Sequence, residues 1–206
     1  MNKFISLHIP KTGGTVFRRH VLYGSFSKVK MDYKKNHLNE HPINFDVSEY
    51  NVIHGHFKAS KYLSYNLPYV TWLRDPVIRI VSAYNYNILK RKLEDISFDD
   101  FIEKKVNMIS SFMDIPREKF VFIGILEKWT EGIKRFEKLV GLDLSSYYRE
   151  DFLDSIHIHY RKHEDYFQPS PSQIRRIIDL NGKDIEFYNR ERRDYAEVIN
   201  NRSLCE

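Results

Sequence analysis

FISLHIPKTGGTVF, running from Phe4 to Phe17, is the stretch that decides how this chain is read. Phe4 to Ile9 has the composition of a buried strand. A turn containing Lys11, Thr12, Gly13, Gly14 and Thr15 follows, and then an amphipathic segment from Val16 to Leu22. Strand, glycine turn and helix in that order aim backbone N–H groups and a helix N-terminus at a phosphate-like anion. Gly13 and Gly14 let the backbone come close and take positive φ. Lys11 adds a mobile positive charge, and the threonines add hydroxyl donors. In the GxxxxGK[ST] loop the lysine follows the glycines. Here it precedes them, so the turn reads as an anion loop of a kind other than the common ATPase one.

The chain has 206 residues, a length expected for one domain with a substantial core. With 42% hydrophobic and 30% charged residues, its composition is that of a globular protein. A net charge of +5 favours anionic ligands. It does not single out nucleic acid, because basic and acidic residues alternate, as between Lys90 and Lys105. The 14 Tyr and 14 Phe suit either a groove for sugars and flat rings or an aromatic-rich core. The one cysteine, Cys205, cannot form an intrachain disulfide, which fits a reducing compartment. No apolar run approaches the ~18 residues that span a bilayer, and no signal-peptide core precedes the first strand. The expectation is a soluble, cytoplasmic protein with neither nucleic acid nor membrane as partner.

Short apolar runs rich in Val, Ile, Phe and Tyr occur at Lys3 to Ile9, Val52 to His56, Tyr69 to Leu73 and Phe120 to Ile125. Helical patterns lie between and after them, at Thr15 to Tyr23, Pro76 to Leu93, Phe98 to Val106 and Glu127 to Val140, with two more between Ser172 and Asn200. Ser25 to Tyr50 is polar and reads as an irregular excursion. Alternating strands and helices predict an α/β sandwich whose mainly parallel central sheet is covered by helices on both faces. Ligands are expected at the carboxyl ends of the strands.

A second loaded stretch is YVTWLRDPVIRIVSAY, Tyr69 to Tyr84. Arg74 closes a strand, Asp75 is a natural N-cap and Pro76 suits the first helical position. At 3.6 residues per turn, Val77, Val81, Tyr84 and Ile88 share one face, which the sheet should bury. Asp75, Arg79, Ser82 and Tyr86 share the opposite face. Ser82 is then available near Arg74, and the two could hold a phosphate through charge-assisted and hydroxyl hydrogen bonds. Arg74 could instead pair with a carboxylate.

Together these stretches resemble the sulfotransferases that use 3′-phosphoadenosine 5′-phosphosulfate (PAPS), and among them the carbohydrate branch that includes heparan sulfate 2-O-sulfotransferase. The resemblance rests on HIPKTGGT (His8 to Thr15), HGH (His54 to His56) and RDPVIRIVSAY (Arg74 to Tyr84). It extends through FIGILEKWTEGIKRFEKLVGL (Phe122 to Leu142) and NGKDIEFY (Asn181 to Tyr188). It implies a P-loop-like three-layer sandwich and PAPS as co-substrate, with PAP as product and no metal. It also implies that Lys11, Thr12, Gly13, Gly14, Thr15 and Val16 hold the 5′-phosphosulfate, and that Arg74 and Ser82 hold the 3′-phosphate. His56 becomes the catalytic base and His54 an auxiliary residue. Arg161 and Lys162, in His159 to His163, match a basic loop that closes over the nucleotide. The acceptor implied is a hydroxyl on a glycan or small molecule.

Sulfuryl transfer asks the protein to align an in-line attack and to stabilise charge on the leaving oxygen. Lys11 and the loop N–H groups suit the leaving oxygen, and neutral His56 suits the acceptor proton. His54 and His56, two apart on a strand, share a face and could also be structural or half of a metal pair, although zinc needs further ligands. His8 is expected to align the turn. Two rival readings are an ATP-dependent small-molecule kinase, which calls for a lysine after the glycines and Mg²⁺ ligands, and a non-catalytic nucleotide- or polyanion-binding module.

Overall fold

The computed structural model describes residues 1–33, 42–91, 96–157 and 166–200. Five strands, β1 (Phe4–Leu7), β2 (Val29–Asp32), β3 (Val52–Gly55), β4 (Tyr69–Leu73) and β5 (Phe120–Ile125), form one sheet in the order β2-β3-β1-β4-β5. Every pairing among them is parallel. The larger helices are α1 (Pro76–Arg91), α2 (Phe98–Glu103), α3 (Met108–Phe112), α4 (Trp129–Val140), α5 (Glu150–His157), α6 (Pro171–Leu180) and α7 (Gly182–Asn200). The result is the expected P-loop-like α/β sandwich.

β1, β3 and β4 are buried on both faces, as near-continuous apolar runs require. Alternate residues feed two separate clusters. Ile5, Leu7, Ile53, Tyr69, Leu73 and Ile123 pack with Phe112, Tyr188 and Tyr195 on one face. Phe4, Val52, Val70, Trp72 and Phe122 pack with Phe17, Val21, Ile133 and Phe136 on the other. On this second face the column that starts with Phe4 and Val52 turns polar toward the strand ends, where Ser6 pairs in register with His54.

The helix that follows β1 opens with an α-turn at Gly14–Val16, widens into a π-helical stretch at Phe17–Leu22 and closes at Tyr23–Ser25. π-Helical turns occur often at functional sites. Gly13 sits at φ 87°, and the N–H groups of Val16 and Phe17 bond to its carbonyl. This start leaves the N–H groups of Gly14 and Thr15 without intrahelical acceptors.

Several elements differ from the sequence reading. β2 lies inside the segment read as irregular. Its side chains are mostly half-buried, and its identity depends on pairing with β3, with Val29 opposite Val52. Asp32 at its end is buried, bonded to Lys61 Nζ at 2.6 Å and the Tyr62 hydroxyl at 2.8 Å. In α1, Arg79 is fully buried rather than facing outward. Val77, Val81 and Tyr84 pack with Ile80 against Phe98, Phe101, Ile102 and Ile177, and not under the sheet. The reason is tertiary, because helices α2 and α6 cover the face on which the apolar stripe lies. Helices α3 and α5 were not foreseen, since both are short and interrupted by polar residues.

Candidate active site

β3, β1 and β4 are adjacent, and their carboxyl ends deliver the three loaded motifs to one place. β1 runs into the lysine–glycine turn, β3 into His54-Gly55-His56, and β4 into Arg74-Asp75. The connections from β1 and β4 leave toward opposite sides, which is where open α/β sheets hold ligands. A cavity of about 480 Å³ opens there, lined by His8, Pro10, Lys11, Gly13, Gly14, Thr15, Val16, His56, Arg74 and Ser82. Its volume lies within the roughly 300–1,000 Å³ typical of small-molecule sites. Most residues expected at the site therefore share one wall. Arg161 and Lys162 lie outside the described residues.

Two expected residues are placed differently. The Thr12 side chain is buried, and its hydroxyl donates to the Ile9 carbonyl at 2.8 Å, pinning the turn. His54 is buried behind the wall, with Nδ1 hydrogen-bonded to the Ser6 hydroxyl at 2.8 Å. Burial, reinforced by the neighbouring His56 and Arg18, pushes its pKa down to about 3. The Gly14 backbone favours a proton on this ring, but it makes no hydrogen bond of good geometry with Nε2.

The turn is built around its glycines. A side chain at Gly13 would meet Leu126 Cδ1 at 2.6 Å, and the φ of 87° already disfavours one. A side chain at Gly14 would collide with the His8 ring. Lys11 itself occupies the left-handed region at φ 70°, an uncommon conformation for a non-glycine residue. Its ammonium lies 4.2 Å from the centroid of the Tyr86 ring, and its carbonyl accepts a long 3.5 Å bond from Arg74 Nη1. Burial, with a smaller contribution from Arg74, lowers the Lys11 pKa to about 8.

Three imidazoles stack behind the turn. His54 lies flat against His8 at 5.1 Å between centroids, and His56 is tilted against His8 at 4.2 Å. His56 Nδ1 donates to the His8 carbonyl at 2.6 Å. A carbonyl only accepts, so in the neutral ring Nδ1 carries the proton and Nε2 the basic lone pair. Tyr33 closes the group edge-on, 4.7 Å from His56.

The second anion corner is equally well braced. Asp75 caps α1, its Oδ1 accepting the N–H groups of Val77 at 2.9 Å and Ile78 at 3.0 Å. The Asp75 N–H in turn donates to Glu127 Oε1, whose partner oxygen accepts from the Tyr188 hydroxyl at 3.1 Å. Ser82 lies two turns along α1 on the cavity side. Arg79 supports this corner from behind. Its Nη1 donates to Met108 Sδ at 3.2 Å, and burial lowers its pKa to about 10 against the opposing pull of Asp184.

The sequence reading missed several lining residues, namely Arg19, His20, Ala83, Tyr86, Asn87, Lys105, Met108 and Tyr166. Arg19 and His20 ride on the π-helical stretch, a feature without a sequence signal. Tyr86 was legible, since it follows Ser82 by one helical turn. Lys105 and Met108 are held by a remote clamp. Asn181 Oδ1 accepts the Asn107 N–H at 2.8 Å, and Asp184 accepts the N–H groups of Ile109 and Ser110 at 2.8 Å each. Among the described residues there is no group of three His, Cys, Asp or Glu arranged to hold a metal ion, and no helix long and apolar enough to cross a membrane.

A family model described as the sulfotransferase family matches residues 1–190. Among solved structures, the chain is similar to mouse sulfotransferase SULT7A1 complexed with PAP, with a TM-score of 0.62 at 14% identity over 96% of this chain and 89% of that one. At that identity the likeness speaks for the fold. No curated protein matches the sequence.

Proposed function

The chain belongs to the sulfotransferase family, and from that premise we propose that it moves a sulfuryl group from PAPS to a carbohydrate hydroxyl. The observation that carries this reading is a single cavity joining two cationic corners one strand apart, Lys11 with the glycine turn and Arg74 with Ser82. A nucleotide bearing both a 5′-phosphosulfate and a 3′-phosphate needs two such corners, and ATP needs only one. PAP in the solved relative supports the same co-substrate.

In this account the Gly13–Val16 turn and Lys11 hold the 5′-phosphate and stabilise charge on the departing oxygen. Arg74 and Ser82 take the 3′-phosphate. His56 Nε2 accepts the acceptor's proton, its tautomer set by the His8 carbonyl. Thr12 and His54 act from behind the wall, Thr12 by pinning the turn and His54 by backing the His8 ring. The kinase alternative lacks a lysine placed after the glycines.

The test is a screen of glycans and small alcohols with sulfur-labelled PAPS. Label on a glycan hydroxyl supports the reading. Label confined to small non-carbohydrate alcohols would overturn the carbohydrate assignment, and no PAPS-dependent transfer to any acceptor would overturn the reaction.

A further inference from the structure

The ring of His8 spans the interval between the glycine turn and His56. It is only 6% exposed, yet it reaches the cavity wall. One face lies 4.2 Å from His56, and the Cδ2–Nε2 edge lies against Gly14. On the other edge, Nδ1 is in a short hydrogen bond with the Tyr33 hydroxyl. The Arg18 guanidinium lies over the Tyr33 ring, 5.5 Å from its centroid. A phenol is a stronger acid than a neutral imidazole N–H and an imidazole nitrogen a stronger base than a phenol oxygen, so Tyr33 donates its proton and His8 Nδ1 accepts. Burial keeps the phenol protonated and the imidazole neutral, the latter reinforced by His56, His54, Arg18 and Lys11. A neutral ring whose Nδ1 accepts carries its proton on Nε2.

We propose that His8 is a catalytic hydrogen-bond donor, presenting Nε2–H to the sulfuryl group in transit, and that Tyr33 is the positioning residue that fixes its tautomer. The inference rests on the PAPS reading above. In that step the bond from sulfur to the 5′-phosphate oxygen breaks and leaves its electron pair on PAP. A new bond forms from the acceptor oxygen to sulfur, and the acceptor's proton passes to His56 Nε2. With the 5′-phosphate on the glycine turn and the acceptor at His56, as proposed above, the sulfuryl oxygens would pass between the two, the interval that the His8 ring spans. A fixed donor at such a point costs no reorganisation during the transfer.

Two measurements on the full chain decide it. Nitrogen-15 NMR of labelled histidines should show His8 protonated at Nε2, and Tyr33→Phe should shift it toward a mixture of tautomers; an Nδ1–H ring in the wild type overturns the proposal. Turnover of labelled PAPS, with water or a glycan pool as acceptor, should fall roughly 10²–10³-fold in His8→Leu, while the Kd for PAP, which lacks the sulfuryl group, stays unchanged. His8→Gln, which can return an amide N–H to the same point, should recover part of the loss. Wild-type turnover in His8→Leu, or a loss matched by weaker PAP binding, overturns the donor role. Should His8→Leu not fold, Tyr33→Phe still must lower turnover several-fold at constant PAP affinity, and unchanged turnover counts against the proposal. A wild type that neither binds PAP nor consumes PAPS brings down the underlying reading and the donor role with it, an outcome distinct from failure of the His8 variants alone.

Discussion

His56 Nδ1 donates to the backbone carbonyl of His8 at 2.6 Å, so the residue before the anion turn sets the tautomer of the histidine on the neighbouring strand. Leu7 pairs in register with Gly55, which brings His8 and His56 side by side just beyond the paired strands. Here the orienting partner is a backbone carbonyl, fixed in place by the sheet itself.

Replacing His56 with Ala should therefore spare nucleotide binding and reduce turnover by roughly 10²–10⁴-fold, the usual contribution of a positioned base. Steady-state rates together with PAP titration check this. Wild-type turnover on the true acceptor would remove His56 from the base role.

Lys11 links pH to both affinity and stability. Its pKa of about 8 in the folded protein lies below the 10.5 of an unfolded chain. PAP affinity should fall as pH rises through about 8, because the empty site loses its cation there, and binding should take up protons in that range. In Lys11→Met the affinity should be lower and flat across the same window. The depressed value also means that charged Lys11 destabilises the empty fold below about pH 8, a cost that fades toward pH 10.5. Lys11→Met should stabilise the unliganded protein at pH 7 by about 1 kcal/mol, visible as a raised Tm. A lowered Tm would contradict this.

Arg74 and Ser82 can be separated from the glycine turn by ligand choice. Arg74→Ala should weaken PAP by roughly 10–100-fold, the range for one or two hydrogen bonds to a charged group, while leaving adenosine 5′-monophosphate nearly unaffected. Calorimetric titration with both nucleotides measures the difference. Equal losses for the two would place the 3′-phosphate elsewhere.

The fold's outline was legible because four of its strands are dense apolar runs, and two of them, Tyr69–Leu73 and Phe120–Ile125, have the predicted bounds. β2 was not legible, since Val29–Asp32 is a strand only by virtue of its pairing with β3 and the burial of Asp32 among Lys61 and Tyr62. Among the residues that line the cavity, Lys11, Arg74 and His56 sit in contiguous motifs and announce themselves. Tyr33 and Lys105 carry no motif, and topology alone brings them to the cavity and its backing. The helical wheel misjudged Arg79 because it cannot see which neighbouring helix covers which face.

Asp184 shows how far such support reaches. Its carboxylate accepts from Ile109 N–H, Ser110 N–H and the Ser110 hydroxyl, at 2.8, 2.8 and 2.7 Å. Asp184→Ala leaves those buried donors unpaired and should cost about 2–4 kcal/mol, read from urea unfolding. An unchanged midpoint would show that the clamp carries no stability.

The two-corner nucleotide site is tested most directly by thermal unfolding with PAP in the absence of Mg²⁺, set against ATP with Mg²⁺. Such a site should give a raised Tm with PAP and little change with ATP. The reverse, stabilisation by Mg²⁺–ATP and none by PAP, would contradict it.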